Sequence, residues 1–427
     1  MSHPSVLTID LGTTVVKADV WDGGGLRASG STVLRTSQPG PRHAEQDAST
    51  WWPAVVEACA HARVSERDAY GAVDVVALSG ARQTFVATTA DGLPLGPAVV
   101  WSDRRASAEA DALAARAGGV SLVLDRTGQH LDGGSVAAKL AWMDHHDPQR
   151  LAGARWVLTP RDLLILHLAG QVVSDATMAT ASGLYDRELR VVTELIGVHR
   201  ELLAPVVEPG TLVGALRTEV AGALALRAGT PVVIGAGDRA CEVLGSGASG
   251  PLVAVSWGTT ANASRAGPVR PDPVPAELAV TRAVEVGRWS SEAGLAAAGS
   301  LLEWVARASG WEVDALVQAA TAVPLGAGGV VVLPWLGGAR APWWRDDLDV
   351  QVVAAHDPEP AEVARAVFEG VARDLHRCLR CMAGTGTAVE AVALTGRGAA
   401  VPLWVEVVTG VTGLPGVIRR SALRGSG

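Results

Sequence analysis

Near the start of the chain, Asp10-Leu-Gly-Thr-Thr-Val-Val-Lys17 sets a carboxylate, a glycine turn, two hydroxyls and a cation close together. Gly12 lets the backbone approach a phosphate, Thr13 and Thr14 offer hydroxyl and amide donors, and Lys17 adds positive charge. Turn amides aimed at one point make an anion nest, and Asp10 is suited to hold Mg²⁺ through its water shell. The segment is not a Walker A loop, and a plain hairpin turn is the alternative reading. The same tripeptide returns at Gly258-Thr259-Thr260, and two facing hairpins can assemble a polyphosphate site. In Gly235-Ala-Gly-Asp238 small neighbours leave room for a ligand beside a carboxylate. Such a carboxylate can take the proton of a hydroxyl as its oxygen attacks a γ-phosphorus; a turn-capping aspartate is the alternative. Leu394-Thr-Gly-Arg-Gly-Ala-Ala-Val-Pro-Leu-Trp404 reads as strand, glycine turn and helix start, a shape that can receive a flat adenine against backbone.

These residues need elements to position them. Val6–Leu11 reads as a buried strand and Val15–Trp21 as its hairpin partner, ending at Asp22-Gly-Gly-Gly. Residues 73–80 form a further strand closed by glycine, alanine-rich helices follow at about 104–117 and 136–146, and Thr230–Gly237 is a strand delivering Asp238. Alternating strands and helices define an α/β class. Leu252–Trp257 followed by Gly-Thr-Thr repeats the opening, which points to two domains of related design, 1–246 and 247–427. The glycine-rich stretch Gly245-Ser-Gly-Ala-Ser-Gly-Pro251 is the expected hinge.

The bulk properties narrow the function classes. At 48% hydrophobic and 19% charged residues the chain can bury ordinary cores and is not a disordered type. A formal charge of −8 argues against nucleic acid as the main partner. No stretch approaches the ~20 apolar residues of a membrane span, and Met1-Ser2-His3-Pro4 opens no secretory signal, so a cytoplasmic protein without a membrane partner is expected. Cys59, Cys241, Cys378 and Cys381 are too scattered for a disulfide framework. Cys378-x-x-Cys381 lies in an apolar helical pattern with no second pair to complete a zinc site, and reads as buried thiols. Of 36 lysines and arginines only Lys17 and Lys139 are lysines, which makes a lysine beside a glycine turn conspicuous. A two-fold homodimer is the default oligomer.

Taken in order along the chain, the motifs resemble the FGGY carbohydrate kinase family, with a pattern near xylulokinases and glycerol kinases. The match includes Asp10-Leu-Gly-Thr-Thr, Leu78-Ser-Gly-Ala-Arg-Gln, Val100-Trp-Ser-Asp-Arg-Arg105, Pro160-Arg-Asp162, Asp175 through Asp186 and Gly235-Ala-Gly-Asp238. It continues through Trp257-Gly-Thr-Thr260, Gly337-Gly-Ala-Arg-Ala-Pro342, Phe368-Glu-Gly370 and Leu394-Thr-Gly-Arg-Gly398. The resemblance implies two actin-like ATPase (ribonuclease H-like) domains, with ATP and Mg²⁺ in an interdomain cleft and Asp238 as catalytic base. It places Thr13, Thr14, Lys17, Gly258 and Thr259 at the phosphates, Asp10 at the metal, and Gly299, Glu303, Gly396 and Gly398 at the nucleoside.

On the sugar side it places Arg82, Gln83, Trp101, Asp103 and Arg239. Ala81-Arg82-Gln83-Thr84 is closer to the Gln-Arg-Glu-Thr of glycerol kinases than to the Gln-Met-His-Gly of xylulokinases. Arg82 and Gln83 can bind vicinal hydroxyls and Trp101 offers an apolar face; alternatively Arg82 and Arg239 pair with Asp103 or Asp238. Three departures stand out: Arg397 in place of the middle glycine of the adenine turn, an acid lost from Gly338-Ala-Arg-Ala-Pro342, and an end at Gly427 where relatives continue into another helical stretch. The implied activity is ATP-dependent phosphorylation of a small sugar or polyol, a xylulose-like ketose being favoured. The alternatives are a catalytically weak sugar-binding or regulatory relative, or a kinase of a sugar acid or glycerol-like polyol.

Overall fold

The computed structural model describes residues 3–192, 195, 200–345 and 347–419. The chain divides into two compact units, Met1–Cys241 with Thr281–Gly287, and Glu242–Val280 with Arg288–Gly427. The units meet within the helix Asp238–Ser246, and a short later segment returns to the first unit.

In the first unit, alternation writes the strands. Leu7, Ile9 and Leu11 of β1 (Val6–Leu11) and Val16, Ala18 and Val20 of β2 (Val15–Asp22) are all at most 1% exposed, while their neighbours face outward or across. β3 (Gly25–Val33) completes a meander, and α1 (Trp51–Ser65) buries Ala54, Val55, Ala58, Cys59 and Ala62 behind it. The strand expected at 73–80 begins at Val75 and is β4 (Val75–Gly80). Helices α2 (Ser107–Arg116) and α3 (Val136–His146) carry the loops beyond it, and α4 (Pro160–Ala169) starts on a Thr159 cap with proline in its first turn. A short α5 (Ala176–Ala181) is capped by Asp175, whose side chain accepts from the Thr177 amide. β5 (Leu212–Ala215), β6 (Pro231–Gly237) and α6 (Asp238–Ser246) close the unit. The sheet order is β5-β6-β4-β1-β2-β3, with β6, β4 and β1 mutually parallel and the remaining pairs antiparallel.

The second unit repeats this plan. β7 (Leu252–Trp257) and β8 (Ala261–Gly267) form the hairpin, β9 (Ala279–Arg282) and β10 (Trp289–Leu295) follow, and α7 (Gly299–Ser309) leaves the end of β10. The long α8 (Pro360–Ala383) begins with a Glu359–Glu362 capping box and buries Phe368, Val371, Leu375, Cys378 and Met382. After it come β11 (Ala391–Gly396), α9 (Pro402–Thr412) and β12 (Gly416–Ile418). The sheet order is β9-β10-β8-β7-β11-β12. A hairpin, a third antiparallel strand and a parallel strand beside the first thus occur in each sheet. Its core centres on Trp257, stacked on Phe368 at 5.2 Å and tilted on Trp404 at 4.1 Å between ring centroids. Among the described residues all four thiols are free, with Cys59 and Cys378 buried, and no helix is long and apolar enough to cross a membrane.

Candidate active site

The three parallel strands of the first unit end level with one another: Leu11 is the register partner of Gly80, and Gly80 of Gly237. Ligand sites in open α/β sheets lie at such carboxyl ends. Asp10, beside Leu11, faces Lys17 across the hairpin and Ser79 on β4. Its Oδ1 is buried and, among the described residues, has no hydrogen-bond partner. Burial, and next the charge of Asp238, push its pKa up to about 6 against the opposing pull of Lys17 and Ser79. The orphaned oxygen fits a hard ion or a water of its shell. Among the described residues no cluster of three or more His, Cys, Asp or Glu side chains could hold a metal.

The turn between β1 and β2 is held from behind. Gln46, 3% exposed, donates through Nε2 to the Thr13 carbonyl, and its Oε1 accepts from the Trp51 indole at 3.0 Å. The Thr13 hydroxyl accepts from Trp101 Nε1 at 3.1 Å, so a residue expected at the sugar and one expected at the phosphates are in direct contact. Thr14 is exposed at the tip and its carbonyl accepts from the Leu34 amide.

Asp238 begins α6 where β6 ends, after a register shift between Ile234 and Gly237. Its side chain is 44% exposed, and Oδ1 accepts from the Arg239 amide at 2.8 Å. Arg82 Nε lies 3.6 Å from the same oxygen. The close packing explains the glycine: a Cβ at Gly237 would sit 2.8 Å from the Arg82 stem and 2.9 Å from Met178 Sδ. Of the two pairings open for Arg82, the one with Asp238 is the one formed.

Arg82 and Gln83 lie on a loop with Gln83 in the left-handed region at φ 56°. The Gln83 amide reaches the Ala181 carbonyl at 3.4 Å. Lys139 of α3, 1% exposed, donates through Nζ to the carbonyls of Gln83 at 3.1 Å and Val100 at 2.7 Å. The Trp101 amide, next along, donates to Thr84 Oγ1 at 3.0 Å. One buried amine therefore ties the loop of Arg82 and Gln83 to the loop of Trp101.

Asp103 departs from its expected place at the sugar. It is fully buried, its carboxylate accepting from the Ala44 amide at 2.6 Å and from the amide and guanidinium of Arg105. Burial alone would raise its pKa, and these donors hold it below the usual range instead. It braces the loop carrying Trp101 and has no surface to offer a ligand.

In the second unit, Trp257 and Gly396 are ladder partners, so the Gly258-Thr259-Thr260 turn and the Gly396-Arg397-Gly398 turn leave neighbouring strand ends. The amides of Gly299 and Ser300 donate to the carbonyls of Gly258 and Thr259, at 2.9 and 3.2 Å, joining α7 to the hairpin. Glu303 is exposed one turn further along α7. Gly398 is packed on Trp257: a Cβ there would lie 2.4 Å from the Trp257 Cβ. Arg397 is exposed in the 3₁₀ turn that follows β11.

Gln46, Thr84, Lys139, Asp175 and Thr177 support these residues; Asp175 and Thr177 fall in the matched segment Asp175 through Asp186, Thr84 follows Gln83 in the matched loop, and Lys139 is one of only two lysines, whereas Gln46 carries no signal in the sequence. Two mixed sheets of repeated design, each ending in a Gly-Thr-Thr hairpin, define an α/β protein of the actin-like ATPase class. The chain belongs to the FGGY family of carbohydrate kinases, residues 5–245 matching the N-terminal domain of that family and residues 253–423 its C-terminal domain. Members of this family are ATP-dependent phosphotransferases, and so is this enzyme. The chain is 31% identical to the xylulose kinase of Escherichia coli strain K12 over 426 residues, covering 95% of this chain and 84% of the relative. It is 29% identical to a glycerol kinase of Cereibacter sphaeroides strain KD131, covering 97% and 86%. The crystal structure of a xyloylose kinase from Brucella ovis superposes with a TM-score of 0.88 at 26% identity, covering 98% of this chain and 87% of that one.

Proposed function

We propose that this kinase transfers the γ-phosphoryl group of ATP to a hydroxyl of a xylulose-like ketose, with Asp238 as the general base. The observation that carries the reading is the partly exposed Asp238 carboxylate, presented at the common end of three parallel strands beside the buried Asp10. Asp238 accepts the hydroxyl proton as the sugar oxygen bonds to the γ-phosphorus and the bond to the leaving ADP oxygen breaks. Arg82 and Gln83 orient the sugar hydroxyls and Trp101 lines its carbon chain. On the family pattern, Thr13, Thr14 and Lys17 of the first unit are phosphate residues; in the second unit, Gly258 and Thr259 are phosphate residues and Gly299, Gly396 and Gly398 nucleoside residues. Glu303 and Arg239 belong to the nucleoside and sugar sides on the family pattern alone. Asp10 is the residue that would hold Mg²⁺ through its water shell, and the ion would supply charge neutralisation to the phosphates.

A neutral sugar is favoured over a sugar acid because the Arg82 guanidinium already faces Asp238. A substrate carboxylate would have to compete with that pairing. The test is a coupled ADP-release screen over D-xylulose, glycerol, D-gluconate and other small polyols, with the highest kcat/KM expected for a ketose. In parallel, Asp238→Asn should lower kcat by about 10² to 10⁴ fold, the usual contribution of a general base, while binding of sugar and ATP changes little. A variant that is destabilised yet transfers phosphate at the parental rate removes Asp238 from the role.

A further inference from the structure

The Asp238 carboxylate owes its place to a backbone irregularity, and the structure shows what holds that irregularity. β6 runs in register with β4 through Val232, Val233 and Ile234, then slips before Gly237 pairs with Gly80. Bulges of this kind re-aim the side chain that follows, here Asp238. At the slip the Gly237 amide turns to a side chain: it donates to the Thr177 hydroxyl at 2.9 Å. That hydroxyl in turn donates to Asp175 Oδ1 at 2.5 Å, and the Thr177 amide donates to the same oxygen at 2.7 Å. Asp175 Oδ2 accepts from Arg161 Nη1, whose Nε and Nη2 are bound by Asp162 Oδ1 at 3.0 and 2.6 Å. All four residues are at most 2% exposed. This chain of donors and acceptors runs from α4 through the cap of α5 to the residue next to the base, with every link buried.

From this we infer that Thr177, seated on Asp175 and Arg161, is a positioning residue for phosphoryl transfer: it fixes the Gly237 bulge and so the aim of Asp238. The inference rests on the reading of Asp238 as the base. A hydroxyl is required because it must donate to Asp175 and accept from Gly237 at once. Serine can do both and valine neither. Fully satisfied buried networks specify one geometry, and a displacement of about 1 Å at a reacting group can cost about 10² fold in rate. Thr177 does not touch the reacting atoms, so its removal acts on turnover through the orientation of the base and leaves ligand affinity alone.

The experiment compares Thr177→Val, Thr177→Ser and Asp238→Asn on the full chain with ATP and D-xylulose, or the best substrate of the screen, measuring kcat, both KM values and melting temperature. The expected result is a kcat about 10 fold lower for the valine variant, with KM for sugar and ATP within about 2 fold of the parent, and recovery to within about 2 fold of parental kcat in the serine variant. Thr177→Ala, which also lacks the hydroxyl, replaces the valine variant if that one does not fold. Parental kcat in either hydroxyl-free variant, or a serine variant as slow as the valine one, overturns the inference while leaving Asp238 in place if its asparagine variant is slow. A fast Asp238→Asn variant instead overturns the base assignment, and this inference with it.

Discussion

Replacing Lys139 by methionine isolates what a buried amine contributes to this fold. The side chain is fully enclosed, and burial, with Arg104 next and Arg105 adding to it, pushes the ammonium down to about 7 from an ordinary 10.5, against the pull of Asp103 and Asp132. The unfolded chain therefore binds more protons than the native one between these two values. Stability contributed by this group is present in full above the upper value and is lost as pH falls through the lower, at about 1.4 kcal/mol per pH unit. Between pH 7 and 9 the parent should gain about 2 kcal/mol from Lys139, after the rounding of the titration near its midpoint. Methionine fills a similar volume, does not titrate, and leaves the Gln83 and Val100 carbonyls without their donor, at about 1–3 kcal/mol each if both stay dry. Near pH 7 that loss is partly offset by relief from burying a charge; at pH 9 it is not. Urea unfolding of parent and variant at both pH values should show a gap about 2 kcal/mol larger at pH 9. A gap that is the same at both would refute the reasoning, since it would mean the amine is charged in the fold throughout.

Other outcomes follow from the same geometry. Arg82→Ala should raise KM for the sugar about 10 fold or more while ATP affinity stays within a few fold, since a charge-assisted contact is worth about 1.5–3 kcal/mol; a collapse in nucleotide binding measured by titration would move Arg82 to the phosphates. Gly398→Ala forces a methyl onto Trp257, and should lower thermal stability by about 1–3 kcal/mol in a melting scan; an unchanged melting temperature would show that the turn yields freely. Asp10→Asn should raise the Mg²⁺ concentration for half-maximal rate about 10 fold without moving KM for sugar, as expected if the orphaned oxygen serves the ion's water shell.

Local chemistry made the hairpins and the strand that delivers Asp238 legible in the sequence. Alternating apolar residues at Leu7, Ile9 and Leu11, a glycine turn after them, and Asp238 at the end of a valine-rich strand are signals carried by neighbours in the chain. The supports are different in kind. Asp103 meets the Ala44 amide across 59 residues, Lys139 meets Gln83 across 56 and Gly237 meets Thr177 across 60. Asp103 has the type and spacing of a ligand-binding carboxylate, and only the fold shows Arg105 and two amides saturating it.

The strained backbone at Gln83 sets two selective pressures against each other. A residue with a Cβ held at φ 56° costs about 1 kcal/mol or more relative to glycine, which adopts that conformation freely. Selection for heat resistance in the laboratory should therefore be drawn toward glycine or asparagine at this position, while selection for turnover, on the sugar-orienting role proposed for Gln83, retains the longer carboxamide that reaches Ala181. Libraries randomised at Gln83 alone, sorted once for stability and once for activity, should enrich different residues, tracing a trade-off to a single torsion angle.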